Sequence, residues 1–200
     1  MLWTFLGACH FIQRGHCLSV KSDFERNVGG SLWHKLPQKF KVNPYGDAET
    51  FTIVRNPYDR VISYYYYVNR KQSMSYLNSK KRLNEFVLKR IAKNRNGIPP
   101  ASNYIFDEES GEQIIDYILH FETLNTDGKF DDLMKKFDLD ISLSENPLNT
   151  RKGGDHLTAI DLSEKSIDYI NAFYKKDFVS FGYQFLRGSE YASLRTGRKK

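Results

Sequence analysis

Cysteine is scarce in this chain: Cys9 and Cys17 are the two in 200 residues. That is too few for a disulfide framework, and no CxxC pair occurs. Both are expected as free thiols, with one bridge between them as the alternative. The five histidines (10, 16, 34, 120 and 156) show neither HExxH nor paired Cys/His spacing, so no zinc or other metal site is expected. No apolar run approaches the ~20 residues of a membrane-spanning helix. The opening stretch, MLWTFLGACHFI, lacks a basic segment ahead of its apolar residues and carries His10, which argues against a signal peptide. No internal repeat is visible.

What the chain does have is aromatic residues, 13 Tyr, 14 Phe and 2 Trp. With 40% hydrophobic and 27% charged residues, this is the composition of a packed domain rather than a disordered chain. Its length suits a single core. Thirty basic against 24 acidic residues leave a net charge of +6. That balance suits an anionic partner, whether nucleotide, acidic glycan, nucleic acid or membrane surface.

Phe51 to Val54 reads as a short buried strand between Gly46-Asp47 and Asn56-Pro57. Asn56 has the character of an N-cap, Pro57 of a first helical residue, and Asp59 of a third-position acid, so a helix is expected to about Asn69. A second helix is predicted near 82–95, then a loop over 98–112 and a strand over Ile114 to Phe121. A helix follows from Phe130 to Phe137, and another runs from a Ser163 cap to about Lys175. Aromatics in DFVSFGYQF should pack back on the body, and residues 187–200 form a basic tail of low order. Strands alternating with helices imply an α/β fold with a parallel sheet. The domain is expected to span 1–186.

In open α/β sheets ligands gather at the carboxyl ends of the strands, where helix N-termini also point. Arg55 stands at such an end, and Ser63 lies two turns into the following helix, on the face of Asp59 and Tyr67. An arginine fork and a serine hydroxyl together suit a phosphate. The alternative is that Arg55 pairs with an acid such as Asp59 or Glu122. Downstream, Arg151, Lys152 and Gly153-Gly154 make a cationic turn able to wrap an anion.

RNPYDRVISYYYY (55–67) closely resembles the 3′-phosphate-binding segment of sulfotransferases that use 3′-phosphoadenosine 5′-phosphosulfate (PAPS), in particular the carbohydrate branch similar to uronyl 2-O-sulfotransferases. YILHFETL (117–124) is similar to the strand-plus-Phe-Glu segment of the same enzymes, PLNTRKGGDH (147–156) to their late nucleotide loop, and FYKKDFVSFGYQF (173–185) to their terminal helix and aromatic strand. The resemblance covers about residues 15–186. It implies a P-loop-NTPase-like parallel sheet flanked by helices, and a sulfuryl transfer from PAPS to a hydroxyl, on a carbohydrate, without a metal. It assigns the 3′-phosphate to Arg55 and Ser63, the late nucleotide loop to Arg151, Lys152 and Gly153, and structural roles to Asp59 and Arg60. Family members in eukaryotes work in the Golgi through a membrane anchor; a bacterial or viral relative would be cytoplasmic.

Sulfuryl transfer needs a base for the acceptor hydroxyl and cations for the leaving group, and histidine is the natural base near neutral pH. RGHCLSV (14–20) is similar to the Gly-His segment whose histidine is the base in the uronyl branch, which maps the role to His16. His156, beside the Lys152 loop, is the next candidate, while His120 is expected to be packed within its strand.

One family part is not found. The strand followed by a PKxGxTS-like loop, whose lysine stabilises the transferring sulfate, has RNVGGSL (26–32) as its nearest look-alike. Asn27 stands in the lysine's place there, and no apolar strand precedes it. The expectation is a chain without the first βα unit, and hence a poor catalyst by itself. Two other readings stand beside the enzyme. One is a catalytically impaired relative that keeps a nucleotide or glycan surface. The other is a basic nucleic-acid-binding module, against which the dispersed charges and the lack of a recognition motif weigh.

Overall fold

The computed structural model describes residues 10–13, 16–18, 49–91, 98–143 and 156–187, the first two stretches through their backbone. The chain forms two compact units, Met1–Arg55 with Ala101–Arg151 and Asn56–Pro100 with Lys152–Lys200.

The first unit holds a four-stranded sheet in the order β2-β1-β3-β4, from His10–Gln13 (β1), His16–Leu18 (β2), Glu49–Val54 (β3) and Tyr117–His120 (β4). β3 and β4 run parallel, from Phe51 opposite Tyr117 to Val54 opposite His120. β1 is antiparallel to both β2 and β3. The expected parallel sheet is therefore corrected to a mixed one. A hairpin needs no crossover helix, so it can add antiparallel strands at the edge of a parallel pair.

β3 forms where β-branched and aromatic residues run together, TFTIV after Glu49, as a pleated, buried surface favours. β4 is shorter than the predicted 114–121 for a local reason. The Asp116 carboxylate takes the Thr50 backbone N–H at 2.7 Å and the Thr50 hydroxyl at 2.8 Å. The strand pairing thus begins one residue later. Residues 98–112 are not wholly loop: Ser102–Ile105 makes one helical turn, and Phe106 bridges Gln113.

A helix over Lys129–Lys136 covers this sheet, close to the expected 130–137. Gly128 precedes it with φ of 70°, a conformation that glycine adopts without strain from a side chain. Phe130, Leu133 and Met134 of that helix bury against Phe51 and Leu119 of the sheet. Spacing of i, i+3, i+4 puts them on one stripe.

The second unit is helical: α1 (Pro57–Val68), α2 (Met74–Leu77) and α3 (Lys80–Arg90), then a 3-10 turn (Ala159–Asp161) and two C-terminal helices. These are Glu164–Phe173 and Lys175–Ser180; with Ser102–Ile105 as α4 and Lys129–Lys136 as α5, they become α6 and α7. The cap signals hold. The Asn56 side chain accepts the Tyr58 N–H at 3.0 Å, and Ser163 accepts that of Ser166 at 3.2 Å. α6 stops at Phe173 rather than Lys175, because the backbone turns at Tyr174 and restarts as α7. The aromatic strand that the resemblance implied after it is corrected as well. Phe178 lies in α7 and is buried, and residues 181–187 are in no strand.

The core of this unit is aromatic. Tyr58, Val61, Ile62 and Tyr65 form the buried face of α1 and pack with Leu83 and Val87 of α3, Ile167 and Ile170 of α6, and Phe178 of α7. Nearby, Lys80 pairs with buried Asp161 at 2.7 Å. Among the described residues, no helix is long and apolar enough to cross a membrane.

Candidate functional site

Arg55 follows β3 directly, at the carboxyl end of the parallel pair, as expected. The ladder continues one step past the strands: the Phe121 N–H donates to the Val54 carbonyl at 2.8 Å. Arg55 and Phe121 are the next residues on the two strands. The Arg55 guanidinium lies 4.4 Å over the centre of the Phe121 ring. Among the described residues Arg55 takes part in no ion pair. This removes the alternative that it serves a local carboxylate there. Its fork of donors is left for something else.

Ser63 belongs to the second unit, seven positions into α1 counting from Pro57. The buried stripe of α1 is Tyr58, Val61, Ile62, Tyr65 and Tyr66, and Asp59, Ser63 and Tyr67 are half-buried on another face. The helical spacing that set these three on one face in the sequence is thus realised. Among the described residues the Ser63 hydroxyl has no hydrogen-bond partner, so it is available to an anion.

Arg60, expected to be structural, is buried inside the second unit. Its Nη1 lies 3.6 Å from Asp177 Oδ2, with both side chains at most 7% exposed. The guanidinium carbon is 5.9 Å from the centre of the Tyr174 ring. Neither Nη1 nor Nη2 of Arg60 makes a hydrogen bond. Tyr174 donates its hydroxyl proton to the Ile98 carbonyl at 2.7 Å. Burial pushes its phenol well above the usual range, with the Arg60 charge opposing this, so it remains a donor. Tyr58 donates to Asn171 Oδ1 and accepts the Leu186 N–H, which ties the chain after α7 to the start of α1.

Tyr66 fixes the exit of the late loop. Its hydroxyl accepts the Leu157 N–H at 2.9 Å and donates to Asn78 Oδ1 at 3.0 Å. The His156 ring stands edge-on to Tyr66, with centroids 6.0 Å apart. Tyr66→Phe leaves the buried Leu157 N–H without its acceptor, at a cost of about 1–3 kcal/mol. The expected reading is a lower urea midpoint with an unchanged slope. A midpoint equal to that of the parent chain would show that the bond contributes nothing.

The other expected residues are less fully placed. His16 starts β2, its backbone opposite Gln13. Arg151, Lys152 and Gly153, the RNVGGSL segment and the tail beyond residue 187 lie outside the described residues. His120 ends β4, half-buried, as expected. Among the described residues, no group of three His, Cys, Asp or Glu side chains is gathered as a metal site. Sequence reasoning singled out neither Asp177 nor Tyr66, and it gave Phe121 only as the end of a strand and part of a Phe-Glu segment, without a contact to Arg55. Asp177 carried a weaker signal, an acid set among aromatics in KKDFVSF.

A family model described as "Sulfotransferase family" matches residues 16–184. No curated protein and no solved structure matches the chain. The match takes in the Gly-His segment from His16, the Arg55–Ser63 segment, the late loop and the C-terminal helices, and it covers well over half of the sequence. The chain therefore belongs to the sulfotransferase family, whose reaction is sulfuryl transfer.

Proposed function

We propose that this sulfotransferase takes its sulfuryl group from PAPS and delivers it to a hydroxyl of a carbohydrate. Arg55 and Ser63 receive the nucleotide's 3′-phosphate. Arg151, Lys152 and Gly153 contribute backbone and charge to the rest of the nucleotide, and His16 is the base. No metal takes part in the step. The acceptor hydroxyl gives its proton to His16, its oxygen forms a new bond to sulfur, and the bond from sulfur to the 5′-phosphate oxygen breaks. The nucleotide leaves as the 3′,5′-bisphosphate, carrying the bonding electrons. Cationic groups near the leaving oxygens lower the barrier by stabilising that charge.

One observation carries the reading: Arg55 sits at the carboxyl end of a parallel strand, next to a capped helix start, outside every ion pair among the described residues. Such a strand end is where α/β sheets bind ligands. The resemblance supplies the nucleotide and the sugar, and the excess of basic residues is in keeping with both.

The test is a binding measurement, which reads the 3′-phosphate contact without requiring transfer. Calorimetry should show tighter binding of adenosine 3′,5′-bisphosphate than of AMP. A charge-assisted contact is worth about 1.5–3 kcal/mol, so Arg55→Ala should weaken the bisphosphate tenfold or more. AMP should be little affected. Equal affinity of the parent chain for the two nucleotides would sink the assignment.

A further inference from the structure

The stacking of Arg55 on Phe121 has no counterpart in the roles assigned above. Phe121 is 37% exposed, unusual for a phenylalanine at the end of a buried strand. Both residues belong to the first unit. They lie one step beyond the last ladder pair, Val54 opposite His120, and the Phe121 N–H to Val54 carbonyl bond extends the ladder to that step. Side chains at paired positions of neighbouring strands project to the same face. The parallel register thus sets the ring beside the arginine.

An arginine at a strand end carries a long side chain with many rotamers, and ordering it on binding costs affinity. A guanidinium resting on an aromatic face keeps its charge and surrenders none of its N–H donors to a carboxylate. The ring therefore fits the task of holding the group without using it up. A carboxylate in the same place would hold Arg55 more firmly but would compete with any incoming anion.

We infer that Phe121 is a positioning residue for anion recognition: it orders the Arg55 guanidinium by cation–π contact and leaves its donors for a phosphate monoester, the 3′-phosphate of the donor nucleotide. This rests on the reading of Arg55 given above. The aromatic character of Phe121 then matters to affinity, and apolar bulk alone does not replace it.

Calorimetry with adenosine 3′,5′-bisphosphate and with AMP on the full chain tests it, with Phe121→Ala, Phe121→Leu, Phe121→Tyr and Arg55→Ala. Thermal unfolding of each variant confirms that it is folded. An exposed cation–π contact accounts for about a three- to fivefold change in affinity. Phe121→Ala and Phe121→Leu should both weaken the bisphosphate by that factor without changing AMP binding, and Phe121→Tyr should restore it. If Phe121→Leu binds as the parent does, the ring is mere packing and the inference is overturned. Unchanged binding in Phe121→Ala, with Arg55→Ala still weakened tenfold, overturns it too while leaving the nucleotide assignment standing. Loss of neither in Arg55→Ala removes both.

Discussion

Asp177→Ala is expected to destabilise the chain by about 3–5 kcal/mol, the cost of leaving a buried charge without its partner. Arg60 and Asp177 are both shut off from solvent, and two of the Arg60 nitrogens make no hydrogen bond. Without the carboxylate, the guanidinium keeps the distant face of Tyr174, which is far weaker than the pair. Domains of this kind are stable by about 5–15 kcal/mol, so the change removes from about a fifth of the margin to all of it. Urea unfolding should show it as a large fall in midpoint. The double variant Arg60→Met, Asp177→Leu should recover most of the loss, because apolar residues of similar volume often match or exceed a buried ion pair. A change below about 1 kcal/mol in Asp177→Ala would mean that water reaches the pair.

His16→Ala should lower sulfate transfer by about 10²–10⁴, the usual contribution of a positioned general base. The assay follows labelled sulfate from PAPS, with a lysine-bearing strand and loop segment fused ahead of Met1. If RNVGGSL is not a sulfate loop, the same assay on residues 1–200 alone should read near background, since a leaving-group contact is worth roughly 10²–10³. The fall in His16→Ala should lie in kcat, with affinity for the bisphosphate unchanged. Full activity in that variant would remove His16 from the mechanism and move attention to His156. Robust turnover by residues 1–200 would instead return Gly29-Gly30-Ser31 to consideration as the sulfate loop.

The β3–α1 segment was legible because its signals are local. A β-branched run, an Asn-Pro break and a third-position acid each act within a few residues, and each sits where the structure has it. Pairing is not local. Residues 1–50 look mixed because β1 and β2 are four and three residues long, too short for an alternating pattern to emerge. Nothing local announces the antiparallel hairpin, and the later alternation of strands and helices points to a parallel sheet. The start of β4 just after Asp116 depends on Thr50, 66 positions away from that carboxylate. The C-terminal misreading has a different origin. Phe181, Tyr183 and Phe185 alternate like a strand, while Phe178 and Phe181 follow a helical step, and the burial of Phe178 against Tyr58 decided for the helix. In the candidate site, the positions of Arg55 and Ser63 at a strand end and on the following helix were readable from local signals. The contacts that Phe121 makes with Arg55, and Tyr66 with Leu157, are tertiary and could not be read from either residue alone.

The order in which the two units draw on the chain has a consequence for biosynthesis. A ribosome adding about 5–20 residues per second completes α1 long before α6 and α7, roughly a hundred positions later. For ~5–20 s the aromatic stripe of Tyr58, Val61, Ile62 and Tyr65 has no Ile167, Ile170 or Phe178 to close over it. β3 waits similarly for β4, since their parallel pairing spans 66 positions from Phe51 to Tyr117, and long-range pairing of this kind forms late. Nascent chains should therefore pass through a window in which a tyrosine-rich helix and an incomplete sheet stand open to chaperones and to one another.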